Sequence, residues 1–238
     1  MRDYAFNRRS FLGTILAGAF PSVAWLSTQP PLARVLSKEQ RDRMSPAEVL
    51  DELKKGNERF RSGRMLVRDY RKQQLATAAG QYPAAAMLGC IDSRGPAEII
   101  FDAGIGDLFN ARIAGNIVTD DLLGSLEFAC AVAGAKVVVL FGHTACGAIK
   151  GAIDDVEMGN LTGLLNRIKP AIAATTFNGD RSSKNAAFVD AVARTNVRLG
   201  VEDIRKSSPI LADLERKGTI QITGAMYDLA TGAVDFGV

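Results

Sequence analysis

The sequence predicts an α/β fold: a mainly parallel four-stranded sheet with an additional edge strand, flanked by helices. Three observations carry that expectation. Val137-Val138-Val139-Leu140-Phe141 is an unbroken apolar run of strand length, which argues burial on both faces, as in a parallel sheet. Ala84–Gly89 is a shorter run of the same kind, and strand-like segments alternate with helix-like ones, the order typical of α/β proteins. Finally, 238 residues with 47% hydrophobic and 23% charged content can bury one substantial core without staples, and no repeat or second domain is visible.

Taken in order, Leu36 to Arg43 is polar and reads as a linker or arm. A helix follows: Ser45 caps it, Pro46 suits its first turn, Glu48 completes a capping box, and Val49, Leu50, Leu53 and Phe60 recur at helical spacing. After a polar stretch, Ala84–Gly89 is the first strand, Ile99–Phe101 a short helix or turn, and Leu108–Ala114 the second strand. Asp120–Ala133 reads as one helix that sends Leu122, Leu123, Leu126 and Phe128 into the core, with Cys130 a core residue within it. Lys136–Gly142 is the third strand. Helices are expected near 148–157, 161–174, 185–206 and 209–217, then a fourth strand over Thr219–Tyr227 and an edge strand over Ala233–Val238.

Residues 1–33 read as an address rather than as part of the fold. Asn7-Arg8-Arg9-Ser10-Phe11-Leu12 sets two arginines before an apolar run that is short for a membrane span and broken by Pro21. The pattern resembles a bacterial twin-arginine export signal, which implies a folded protein sent to the periplasm or beyond, with no stable membrane association after the signal is cleaved. The division expected is therefore 1–33 signal and 34–238 a single catalytic domain. The formal net charge is +3, and Arg2, Arg8 and Arg9 against Asp3 supply most of it. A nearly neutral body gives no electrostatic case for nucleic acid.

Three cysteines, an odd number, argue against a disulfide framework and for metal or thiol chemistry. Glycine motifs offer no phosphate site: Ala148 stands where a phosphate loop needs lysine, and Phe109 where a dinucleotide fingerprint needs its third glycine. Metal ligation is the better reading. Cys90 ends the first strand; His143, the only histidine, ends the third; Cys146 follows three residues later. Sites in open parallel sheets form at the carboxyl ends of strands, and two thiolates with one imidazole suit zinc. Three protein ligands leave a fourth position for water, whose pKa zinc lowers to about 7. Asp92 then has two possible jobs. It could bind zinc itself, closing the site, or orient the water; Arg94 can pair with it and hold it off the metal.

Cys90-x-Asp92-x-Arg94 with His143-x-x-Cys146 closely resembles the β-class carbonic anhydrases. Gly106-Asp107-Leu108-Phe109, Arg112-Ile113-Ala114-Gly115-Asn116, Asn196-Val197-Arg198 and Gly224-Ala225-Met226-Tyr227-Asp228 extend the likeness from about residue 45 to the C-terminus. The resemblance implies a β-carbonic anhydrase-like fold and a Zn2+ site formed by Cys90, His143 and Cys146. It implies reversible hydration of carbon dioxide to bicarbonate and a proton, and a homodimer or homotetramer with the catalytic cleft at a subunit interface. Three positions depart from the family pattern. Ala103 replaces a substrate-contacting glutamine, Gly95 replaces a larger apolar residue, and Met87 replaces the tryptophan of an inhibitory bicarbonate site whose arginine Arg112 matches. An open site is therefore expected. Alternatives on the same scaffold are a carbonyl sulfide or carbon disulfide hydrolase, or a weakly active zinc-binding homologue, for which Ala103 is the support.

Overall fold

The computed structural model describes residues 35–238. The expected export signal lies outside them.

Among the described residues, three helices precede the first strand. The stretch read as a polar arm forms a short helix, α1 (Lys38–Arg43), because Ser37 and Gln40 make a reciprocal capping box. Arg41 buries its guanidinium and donates to the carbonyls of Pro83 (3.4 Å) and Ala133. No apolar periodicity announced this helix; its anchor is an arginine. α2 (Pro46–Arg61) begins on the predicted Ser45–Glu48 capping box and buries Val49 and Leu53. α3 (Tyr70–Thr77), capped by Asp69, fell in the polar stretch for which no element was expected.

The remaining elements alternate as expected: β1 (Ala85–Gly89), α4 (Ala97–Ile100), β2 (Leu108–Arg112), a single 3-10 turn over Ala114–Asn116, α5 (Asp120–Glu127) and a π turn over Phe128–Val132. Then come β3 (Val137–His143), α6 (Gly147–Ile153), α7 (Gly159–Asn166), α8 (Lys169–Ala174), α9 (Ala186–Ser207), α10 (Pro209–Arg216), β4 (Gln221–Tyr227) and β5 (Val234–Phe236). The sheet order is β2-β1-β3-β4-β5, parallel except for β5.

Strand alternation assigns the two cores. Ala86, Leu88, Val138, Leu140 and Ile222 point to the side covered by α5 to α10. Ala85, Met87, Val137, Val139 and Phe141 point to the other, where Val49 and Leu53 of α2 and Ile100 and Phe101 meet them. Both faces are covered, which is why β3 is apolar without a break.

Two expectations need correction. Phe128, expected in the core, is 53% exposed. The π turn, closed by Ala133 N–H donating to Phe128 O (2.9 Å), adds a residue to that turn and shifts the helical phase, so Ala129 and Cys130 go in while Phe128 goes out. The helix expected over 161–174 is two helices, α7 and α8, with Lys169 and Pro170 opening the second.

Candidate metal centre

β1 and β3 are parallel neighbours with Gly89 opposite Phe141, so their carboxyl ends coincide. Cys90 follows β1 directly, His143 closes β3, and Cys146 caps the start of α6. The structure thus brings all three predicted ligands together: one donor atom from each lies within 4.8 Å of the other two, and all three cysteines are free thiols. Each of the three residues is at least nine-tenths buried. Gly142, directly before His143, lets α9 and β4 pack closely on the end of β3, since a Cβ there would sit 2.5 Å from Val197 Cγ2 and 2.7 Å from Met226 Sδ.

The imidazole is oriented for ligation. His143 Nδ1 lies 2.9 Å from Thr144 O, to which it donates its proton, while Nε2 is buried without a hydrogen-bond partner. A buried, unpartnered imidazole nitrogen beside two thiols is costly unless something binds there, and a metal ion fits that donor set.

The surrounding backbone holds the ligands. Gly115 N–H donates to Cys90 Sγ (3.3 Å), and Asn196 Nδ2 donates to Gly115 O (2.9 Å). Ala145, between the second and third ligands, adopts left-handed φ (54°), uncommon for a residue with a Cβ, and its N–H donates to Asp190 Oδ1 (2.8 Å). Arg112 donates from Nε to Cys90 O (2.8 Å) and from Nη2 to Asp92 O. It therefore clamps the backbone of the Cys90–Asp92 segment.

Asp92 is paired as expected. Arg94 donates to Oδ1 from its backbone N and from Nε (2.9 Å each), and to Oδ2 from Nη2 (2.7 Å). Those bonds, led by the guanidinium, hold the Asp92 carboxyl far below the usual carboxylate range despite partial burial. Asp92 Oδ2 stands 3.9 Å from His143 Nε2.

The two thiols titrate as a pair. A hydrogen bond from the Cys146 thiol, with further help from His143, favours the Cys90 thiolate against its burial; the same bond, then burial, pushes Cys146 up. Burial lowers the pKa of His143, but the Cys90 thiolate and the Thr144 carbonyl outweigh it and the net shift is upward. Cys130 lies apart from these groups, and burial alone pushes it up to about 12, consistent with an inert core thiol.

Ala103 is not brought to this centre within the chain. Its N–H donates to Glu98 O (2.7 Å), and it lines a cleft with Leu53, Arg68, Asp102 and Leu108 that contains none of the ligands. Met87 is buried in β1, and a Cβ at Gly95 would meet only Asp92 O at 3.6 Å. Sequence reasoning missed the supports: Gly115 and Asn196 on Cys90, Asp190 on Ala145, and the clamping role of Arg112. Arg112 and Gly115 stand in a recognisable block, whereas Asp190, 45 residues from its partner, carries no local signal.

The fold and the cluster define a class: an α/β protein with a thiolate–imidazole metal centre at the carboxyl edge of a parallel sheet, beside an arginine-held carboxylate. A sequence profile described as carbonic anhydrase matches residues 85–234. A protein named carbonic anhydrase 2 from Mycobacterium tuberculosis is 34% identical over 194 residues, covering 79% of this chain and 91% of that one. A carbonic anhydrase from Mycolicibacterium smegmatis is 32% identical over 193 residues, covering 80% and 93%. Among solved structures, one of two tetrameric β-carbonic anhydrases from Sordaria macrospora aligns with a TM-score of 0.59 at 28% identity, covering 67% of this chain and 82% of that one. This chain belongs to the carbonic anhydrase family, and its fold is that of the β class.

Proposed function

We propose that this chain is a zinc carbonic anhydrase that interconverts carbon dioxide and bicarbonate, with Asp92 and Arg94 as its working dyad. The observation that carries the reading is the unpartnered His143 Nε2 beside two thiols, with Asp92 held 3.9 Å away. Cys90, His143 and Cys146 would hold the metal, which when bound supplies the Lewis acidity that makes water a nucleophile near neutral pH.

The chain's own groups do the rest. Asp92 stays ionised at neutral pH and is therefore an acceptor only. Arg94 takes two bonds on Oδ1 and one on Oδ2, which leaves Oδ2 with acceptor capacity for an O–H at the His143 side. Asp92 thereby selects and orients a protonated oxygen, while Arg94 keeps the carboxylate from turning to ligate. Arg112 fixes the segment on which both sit.

Two further parts belong to this proposal. Residues 1–33 act as the twin-arginine-type signal, supported by Arg8-Arg9 before the apolar run, and deliver the folded domain, 34–238, to the periplasm or beyond. Among the described residues no helix is long and apolar enough to cross a membrane. The working unit is a homodimer or homotetramer, supported by the open outer edge of β2 and by exposed Phe128 and Val132 in the neighbouring turn.

Stopped-flow assays of the zinc-loaded protein with carbon dioxide and with carbonyl sulfide test the reading. Rapid hydration of carbon dioxide with little turnover of carbonyl sulfide is expected; the reverse preference would assign the scaffold to the second gas, and no rate with either would leave a metal-binding protein.

A further inference from the structure

A cleft of about 550 Å³ lies between the segment after the Ala114–Asn116 turn, the α7–α8 junction and α9. None of Cys90, Asp92, His143 or Cys146 lines it. Its wall includes the buried apolar side chains of Ile117, Val118 and Ala171.

Two features of the lining have no internal explanation. Asn116 is 4% exposed, yet its Nδ2 is buried and finds no acceptor in the protein. Its left-handed backbone (φ 42°) accounts for an asparagine at this position, since asparagine adopts that conformation more readily than most residues. The backbone does not account for an amide donor left without a partner, which is costly to bury. The second feature is charge. Arg167 and Lys206 both line the cleft, and neither has a carboxylate within ion-pair distance among the described residues. The acids beside them are differently placed: Glu202 is paired with Arg198 at 2.9 Å, and Asp203 Oδ1 accepts from Ser207 Oγ at 2.8 Å. The cleft thus offers two unpaired cations and a buried amide donor against one acid without a cationic partner.

We propose that this cleft binds a small organic carboxylate with an apolar body. A carboxylate has the oxygens to accept from Arg167 and Lys206 at the rim, a turn of the Asn116 amide, whose Nδ2 is now shut off from the cleft, would bring its donor to the same oxygens, and an aromatic or branched body suits the Ile117, Val118 and Ala171 wall. The volume falls within the range of small-molecule pockets and is far larger than a bicarbonate ion needs. Asn196, which also lines the cleft, is occupied by Gly115 O and serves the metal centre instead.

Benzoate is the probe, with benzamide as its neutral isostere, titrated by calorimetry into the full-length zinc-loaded protein and into the Arg167→Ala/Lys206→Ala variant. Both substituted residues are exposed, so the variant should fold and keep its carbon dioxide hydration rate. Benzoate should bind the wild type at least ten-fold more tightly than benzamide, the double substitution should remove at least that factor, and soaked crystals should show benzoate against Asn116 and Ile117. Equal binding to both proteins, density confined to the Cys90–His143 centre, or no binding at all would overturn the proposal. A failure here leaves the hydration activity untouched, so the two readings are separately testable.

Discussion

At His143 one ring nitrogen is committed to Thr144 O and the other is buried without a partner, so the protein has fixed the tautomer before any metal arrives. The same environment makes the site sensitive to protons. His143 is raised above its ordinary value, so in the metal-free fold the protonated ring is favoured at low pH and that advantage is lost as pH rises through the raised value. Zinc needs the neutral ring and both thiolates, and the upward push on Cys146 works in the same direction. Zinc affinity should therefore fall as pH drops from 8 to 6. Chelator competition at the two pH values checks this; an affinity independent of pH would contradict it. Asp92 behaves oppositely. Its lowered pKa keeps its ion pair intact down through the ordinary carboxylate range, so its loss should not contribute to that fall.

α2 is the element whose seating depends on one small residue. A Cβ at Gly56 would lie 1.9 Å from Phe101 O, a backbone atom that cannot rotate away. Alanine gains about 1 kcal/mol over glycine in a helix interior, but overpacking costs about 1–3 kcal/mol and backbone displacement adds to it. Gly56→Ala should lower stability by about 1–2 kcal/mol net, read from the midpoint of denaturant unfolding. An unchanged or higher midpoint would show that α2 does not seat as described. Gly56 also marks how far sequence reading reaches, because the Phe101 carbonyl it accommodates is 45 residues away. The strands and α2 were legible because apolar runs and a capping box are local signals. α1 and α3 were not, since α1 is anchored by a buried arginine and α3 carries little apolar periodicity. The π turn at Phe128 was equally invisible, because nothing in Phe128–Val132 departs from helical composition. In the site, the ligands and the dyad were legible as reactive residues at strand ends. Their supports from α9, Asn196 and Asp190, reach Gly115 and Ala145 from a distance that no motif spans.

For the whole molecule, one histidine in 238 residues has a kinetic consequence. With His143 occupied by metal, no second imidazole is available to carry protons out, and the transfer falls to water, buffer and the remaining side chains. Turnover should rise with buffer concentration at constant pH and ionic strength; a turnover that stays flat from low to high buffer would show an internal proton route. The two arginines of the proposed signal belong to this scale too. Replacing Arg8 and Arg9 with lysine should leave the protein in the cytoplasmic fraction of an expressing bacterium, and unchanged periplasmic recovery would reject the export proposal.

Everything proposed about catalysis converges on Asp92, which the chain holds with three bonds from Arg94 beside an imidazole oriented for metal. The most direct test is the carbon dioxide hydration rate of Asp92→Asn, measured together with its zinc content. The variant should keep one zinc per chain and lose on the order of 10²-fold or more in rate, because the amide replaces an acceptor-only oxygen pair. A fully zinc-loaded Asp92→Asn protein that hydrates carbon dioxide at the wild-type rate would contradict the account.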